Sequence, residues 1–323
     1  MGKRLKVKED NEYFVYELLE QYCNEKKAEG RSKATIESVE NSFKKFFCCF
    51  DRSKMTTKEL DKGTVIHYKN YLVKGEDLKI ASINHYLRDL RTFLNWCFNE
   101  GYIDEKIDVK LNKGQEEIIE VYEEEEIQRL IEKPKKGASF VEWRTWAIVC
   151  WILGTGNRID TIINVKMGDV HFGRDEILIR AQKNKKASII PLDKTLKNVL
   201  RTYISKCRPN ASDDKWLFCN VEGNQLSTNA LQQALYDYNK KRNVNRTSAH
   251  ALRHTFAKMF CMRGGDVFRL QKIMGHSTLE MTRHYVNLFG IDLKQGYDEV
   301  SPLNNISKPL GGKRHKIKVL EDE

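Results

Sequence analysis

In the first hundred residues apolar side chains recur at helical spacing. Phe14, Val15, Leu18, Leu19, Tyr22 and Cys23 follow the i, i+3, i+4 pattern that lines one face of an α-helix. A second stripe, Ile36, Val39, Phe43, Phe46 and Phe47, follows a turn at Gly30. Thr56 and Glu59 have capping-box spacing ahead of a third stripe, Leu60, Val65, Tyr68 and Leu72. The last, Ile83, Leu87, Leu90, Leu94 and Cys97, is stopped by Gly101. Four such faces in so short a stretch predict a small helical bundle.

From Asp104 to Ile119 the periodicity fades and charges take over, which places a domain boundary near residue 115. Helical spacing returns in EEEEIQRLIEK, whose acids occupy the first turn, where the helix dipole favours them. WRTWAIVCWILGTG, Trp143 to Gly156, is almost wholly apolar and predicts a buried core helix closed by its glycines. It is too short and interrupted to cross a membrane. The clear β signal is EILIRAQKNKKASIIPL, Glu176 to Leu192, read as a hairpin with Lys183, Lys185 and Lys186 at its tip. Helices then resume at Thr195 and continue to the C-terminus.

Size and charge sharpen the picture. A chain of 323 residues exceeds the usual single domain, and 40% hydrophobic with 31% charged residues is a globular balance. The formal net charge of +11 suggests an anionic partner, with nucleic acid first. Lys26, Lys27, Arg31, Lys33, Lys44, Lys45, Lys69, Arg88 and Arg91 on the bundle are either a solvated face or a DNA-contacting one. The N-terminus lacks a secretory signal, and no apolar run reaches transmembrane length, so a cytoplasmic location is expected. Eight cysteines without CxxC pairing read as reduced thiols rather than disulfides or a zinc site.

The chemistry concentrates near the end. HALRHTFAKMFCMRGG, from His250, and GHSTLEMTRHY, ending at Tyr285, hold four of the eight histidines. On a helix His250 and Arg253 share a side, while Leu252, Phe256, Met259 and Phe260 supply an apolar one. A short helix over Val267, Leu270, Ile273 and Met274 ends at Gly275, which leaves His276 in a turn aimed inward. Ser277 and Glu280 then cap a helix carrying Tyr285. His250 and His254 have the i, i+4 spacing of a zinc pair, but Ala251 stands where the zinc-protease pattern needs Glu.

These spacings together resemble the signature of the tyrosine recombinases, or phage integrases: His-x-x-Arg-His-x-Phe-Ala, then Leu-Gly-His-Ser, then Tyr nine residues beyond that His, as Tyr285 is from His276. LGTGNRIDTIINVKMGDV resembles the family's first arginine segment, with Arg158 the match, and KNKKASIIPL its hairpin lysine segment, with Lys183 the match. ASINHYLRDLRTFLNWCFNEGYI resembles part of its core-binding domain, so the likeness runs over about residues 11 to 290. Thr161, beside Asp160, stands where the family often has an acid; Asn184 and Met274 replace a common glycine and leucine.

The resemblance implies a mainly α fold with a small β-sheet or hairpin. Its parts would be a flexible 1–10, a helical SAM-like DNA-binding domain over 11–104, a linker over 105–119, an α+β catalytic domain over 120–290 and a partly protomer-docking tail over 291–323. With Tyr13 already at the start of the bundle, no separate arm-site-binding domain is expected. Arg158 and Arg253 would hold the scissile phosphate, Tyr285 would attack it to form a 3′-phosphotyrosine, and His250 would be the general base. His276 would donate a hydrogen bond to the phosphate and Lys183 would protonate the leaving 5′ oxygen. Such chemistry uses no metal, ATP or other cofactor. The implied partners are double-stranded DNA, a second protomer per site, four protomers in synapsis, and accessory DNA-bending or directionality proteins. Integration or excision of a mobile element is the expected role, with chromosome or plasmid dimer resolution, or a non-catalytic DNA-binding regulator, as alternatives. VNLFGIDLKQGYDEVSPL holds too many apolar residues for a solvated end: it packs back on its own domain or, as the resemblance implies, residues 289 to about 303 dock on a neighbouring protomer.

Overall fold

The computed structural model describes residues 12–74, 78–113, 120–180 and 187–276, together with Thr278, Thr282 and Tyr285. The chain divides into two compact units, Met1–Glu117 and Ile118–Glu323.

The first unit contains α1 (Val15–Ala28), α2 (Lys33–Phe46), α3 (Lys62–Lys74) and α4 (Ile80–Glu100). The stripes read from the sequence face inward, and Tyr22, Phe43, Phe46, Tyr68, Phe93 and Trp96 form an aromatic core. Phe43 and Phe93 meet edge to face at 4.9 Å, the arrangement the ring quadrupoles favour. Each fully buried side chain of this size stabilises the fold by about 1.5–3 kcal/mol through area removed from water. Gly101 ends α4 in the left-handed region, φ 78°. The capping box at Thr56 and Glu59 is present, but it caps a single 3-10 turn, Thr57–Glu59. Leu60 is extended there, and α3 starts afresh at Lys62 with Asp61 accepting from the Thr64 amide at 2.7 Å. Beyond α4 the chain stays on the bundle through buried Ile103 and Val109, and Asn84 and Asn112 exchange hydrogen bonds of 2.9 and 2.8 Å.

The second unit is built around α6 (Phe140–Thr155), which packs against α5 (Glu124–Ile131), α8 (Lys194–Cys207), α9 (Thr228–Lys241) and α10 (Ala249–Met262). Packed by four helices, α6 is apolar around its axis from Trp146 to Ile152, with Trp146, Ala147, Ile148, Val149, Trp151 and Ile152 all buried. Two short helices, α7 (Ile159–Ile162) and α11 (Val267–Met274), lie near the site described below. The sheet is antiparallel, in the order β1 (Val170–His171), β2 (Glu176–Ile179), β3 (Ser188–Pro191). Ile177 opposes Ile190, and both face the core. The hairpin was legible in its alternation, whereas β1, two residues long, has no period to read. The expected run of helix from Thr195 is broken between α8 and α9 by an irregular segment in which Cys219 bridges Gln225. The hairpin tip with Lys183, the Ser277–Glu280 cap and the 289–303 segment lie outside the described residues.

Candidate active site

Three chain ends converge on the site. At the C-terminus of α6, Trp151 Nε1 donates to Asn157 Oδ1 at 3.0 Å and Thr155 Oγ1 donates to the Trp151 carbonyl at 2.8 Å. These buried bonds fix the turn that presents Arg158. Gly156 sits in that turn at φ 63°, and an added Cβ would run into the Phe256 ring and lie 3.3 Å from Met274. Only glycine therefore lets the α6 end approach α10 and α11 this closely.

α10 starts at Ser248, whose hydroxyl accepts from the Ala251 amide, and is pinned near its middle by Thr255 Oγ1, which accepts from the Tyr122 amide at 2.8 Å. It carries His250 exposed near its start, Arg253 buried with 4% of its surface accessible, and His254 half-buried. α11 ends at Gly275, φ 64°, which turns the Met274 and Gly275 carbonyls toward the arginines.

Arg253 Nη1 donates to the Gly156 carbonyl, both terminal nitrogens donate to the Met274 carbonyl at 3.2 Å, and Nη2 lies 2.7 Å from His276 Nε2. Arg158 donates to the Gly275 carbonyl at 3.3 Å. Among the described residues neither arginine has a carboxylate partner within salt-bridge distance. Asp160, the acid beside Thr161, accepts from Thr228 on α9 at 3.4 Å. Burial, and then the nearby Arg158 charge, push the Arg253 guanidinium down to about 10, so it stays cationic at neutral pH. Two cations held by carbonyl dipoles and neutral side chains make a positive pocket that an anion would relieve.

His276 is 7% exposed, with Arg253 at Nε2 and Thr282 Oγ1 2.8 Å from Nδ1. Because an arginine can only donate, Nε2 accepts and Nδ1 carries the proton. Burial first, then the Arg253 and Arg158 charges, push its imidazole down to about 4. Tyr285 is 5% exposed and packs with Phe256, Cys261, Leu270 and Met274. Its ring stacks on His276 at 6.0 Å with 7° between planes, and its hydroxyl lies 2.8 Å from His254 Nδ1. Burial raises the phenol above its ordinary value, while Arg253 and Arg158 pull it back.

The structure thus brings Arg158, Arg253, His276 and Tyr285 together and leaves His250 at the exposed start of α10. Lys183 lies outside the described residues. Sequence reasoning missed His254 as the residue touching the tyrosine, and Thr282, the partner of His276. The i, i+4 spacing that suggested a zinc pair could have pointed to His254, because it places that imidazole one turn above His250. Among the described residues no three His, Cys, Asp or Glu side chains cluster as a metal site. No described helix is long and apolar enough to cross a membrane.

Residues 120–290 match the phage integrase family, and residues 14–111 match the phage integrase SAM-like domain. The chain therefore belongs to the phage integrase family of tyrosine recombinases, enzymes that cleave and rejoin DNA at specific sites. It is 26% identical over 294 residues to tyrosine recombinase XerD of Staphylococcus epidermidis, covering 88% of this chain and 98% of that one. The fold is shared with the Tn1549 transposon integrase in complex with transposon right end DNA, at TM-score 0.67 and 17% identity, over 83% of this chain and 94% of that one. It is shared also with a lambda integrase tetramer bound to a Holliday junction, at TM-score 0.67 and 15% identity, over 87% of this chain and 79% of that one.

Proposed function

We propose that the chain cuts one DNA strand at a time through a 3′-phosphotyrosine on Tyr285 and passes the strand to a new partner, in the integration or excision of a mobile element. The observation that carries this reading is the pair of arginines, Arg158 and Arg253, that have no carboxylate partner among the described residues and are set beside a buried tyrosine. A phosphodiester supplies the missing anion. Guanidinium forks match its non-bridging oxygens and stabilise the extra charge of the transition state. Tyr285 attacks phosphorus, and the bond energy is conserved in the phosphotyrosine for rejoining. His276 is the further phosphate donor, and to donate through Nε2 it must gain a proton, which the phosphate charge favours. Lys183, on the hairpin between β2 and β3, protonates the departing 5′ oxygen. Two imidazoles on α10 are placed to receive the tyrosine proton, His250 by resemblance and His254 by contact.

The domains follow the family plan, a helical DNA-binding domain over 11–104 and a catalytic domain over 120–290 joined by a linker. Double-stranded DNA is the substrate, two protomers fill one site and four form the synapse, with residues 289 to about 303 docking between protomers. The reaction runs in the cytoplasm, where such DNA is found. Chromosome or plasmid dimer resolution by the same chemistry is the second reading. Transposon or phage ends flanking the gene would decide for the first reading, and their absence together with activity on a chromosomal site for the second. A nicked duplex that traps the covalent complex tests the chemistry: Tyr285→Phe is expected to bind DNA and form no adduct. An adduct that persists in the variant, or maps to Tyr297, overturns the assignment.

A further inference from the structure

Resting on that reading, we propose that Thr282 is a positioning residue for the reaction: its hydroxyl holds the His276 imidazole by Nδ1, so that Nε2 is the nitrogen presented to the scissile phosphate. Thr282 is fully buried, and its Oγ1 lies 2.8 Å from His276 Nδ1. Thr282 and Tyr285 are helical residues three apart, so they share a face, and the Tyr285 ring stacks on His276. The imidazole is thus gripped between Arg253 on α10 and the turn that leads to the tyrosine. Its backbone is set separately, with the His276 amide donating to the Gln271 carbonyl at 3.0 Å. The ring itself remains to be fixed. A half-turn about Cβ–Cγ exchanges each nitrogen with a carbon at almost no change of shape, so only its hydrogen-bond partners select the orientation.

In the DNA-free chain two partners make that selection, Arg253 at Nε2 and Thr282 at Nδ1. Arginine only donates, so Nε2 accepts, Nδ1 carries the hydrogen, and the Thr282 hydroxyl accepts it. A phosphodiester changes one of the two. It draws the arginine donors to its own oxygens, and Thr282 is then the partner that still holds the ring. A proton from solvent binds Nε2, which becomes a donor to the phosphate, while the Nδ1 hydrogen stays on the hydroxyl. Burial, then the charges of Arg253 on α10 and Arg158 ahead of α7, then His254 on α10, push the imidazole down to about 4. Tyr285 lies across its face. The phosphate charge offsets the arginines, and an oxygen that accepts from Nδ1 favours the protonated ring further.

The first test is nitrogen NMR of the full-length, DNA-free chain with isotope-labelled histidines, the His276 signals being those lost in His276→Gln. A hydrogen on Nδ1 and a bare Nε2 are expected, and a hydrogen on Nε2 overturns the proposal. The second is single-turnover adduct formation on a saturating nicked duplex across pH, for wild type, Thr282→Val and Thr282→Ser. Val keeps the shape but leaves a buried N–H without an acceptor, and is expected to slow adduct formation by ~10-fold or more at neutral pH. Ser restores the hydroxyl and is expected to cleave close to the wild-type rate. Losing the acceptor disfavours the protonated ring, so the fall in rate toward high pH should begin about one pH unit lower in Thr282→Val. That displacement should vanish in a His276→Gln background, where Thr282→Val is expected to cost little more. A residue that only fills space would give a slow Ser variant, an unmoved pH profile and losses that multiply in the double variant. Any of these overturns the proposal, as does Thr282→Val cleaving at the wild-type rate. Should Thr282→Val fail to fold, the position of the hydrogen in the wild-type chain and the rate of Thr282→Ser carry the decision. A wild-type chain that forms no adduct strikes down the wider reading of the site, whereas an active chain indifferent to Thr282→Val overturns this proposal alone.

Discussion

The two units are made from the same kind of amphipathic helix and differ in what they bury. In the first, the buried polar side chains among the described residues are hydroxyls, Ser42, Thr56 and Thr57. The second buries Arg144, Asp169, Arg253 and His276 as well as neutral polar groups. Charge is expensive to bury, so each such residue needs a compensating partner. Arg144 donates to the Cys219 carbonyl at 2.7 Å and lies over the Phe140 ring, contacts that tie the fold together. Among the described residues Arg253 is held by carbonyls, the His276 imidazole and the Tyr285 hydroxyl, an arrangement that holds a cation in place without neutralising it. Burial of charge therefore occurs both in the scaffold and at the candidate site, and backbone carbonyls hold the buried guanidinium in each.

Substitutions can break this contrast, and the largest effect is expected in the apolar unit. Phe43→Ala removes the centre of the aromatic core and should cost about 3–5 kcal/mol, read by urea denaturation, while the folded fraction still forms the adduct once bound to DNA. Next in size, Arg253→Lys keeps the charge but loses the fork. Adduct formation should fall by ~10²–10³-fold on a nicked duplex. Equal losses of stability and cleavage would show that Arg253 belongs with Arg144. Lys183→Ala should slow cleavage by ~10²-fold or more, and a substrate with sulfur at the bridging 5′ position should restore it, because that leaving group needs no proton.

The smallest effect is on acid stability. His276 has its imidazole pushed down to about 4 in the folded chain, against an ordinary value of 6.5. Neutral His276 therefore contributes stability that is fully present above pH 6.5 and is lost as the pH falls toward 4, where the unfolded chain binds the proton more readily. Between pH 7 and pH 5 this amounts to ~2 kcal/mol. His276→Gln should flatten the acid limb of the unfolding midpoint by that amount, and an unchanged limb would mean that the imidazole is not held neutral.

How much of this was legible in the sequence depended on the range of the interaction. Helical stripes such as Phe43, Phe46 and Phe47 are set by local spacing and read directly. Arg158, Arg253, His276 and Tyr285 came from motif spacing, which located the residues without showing what holds them. The carbonyl cage around Arg253 was invisible, because it joins Gly156 at one end of α6 to Met274 at the end of α11. Backbone carbonyls leave no trace in residue identity. Gly156 hinted at a turn and gave no sign that Phe256 would fill the space of its missing Cβ. His254 was judged against the wrong partner: its spacing to His250 suggested a metal, whereas its contact is Tyr285, 31 residues further on.

The cage around Arg253 also orders events during synthesis. Arg158 leaves the ribosome 127 residues before Tyr285, an interval of about 6–25 s at ordinary elongation rates. Through that interval the Gly156 carbonyl first waits for Arg253, and Arg253 then waits for the α11 end and His276. A nascent chain can fold its first unit while it still lacks both the Arg253 cage and Tyr285. On the proposed reading of Tyr285 as nucleophile, cutting competence would arrive last, with the final stretch of the second unit, and a prematurely terminated polypeptide would be unable to open a strand.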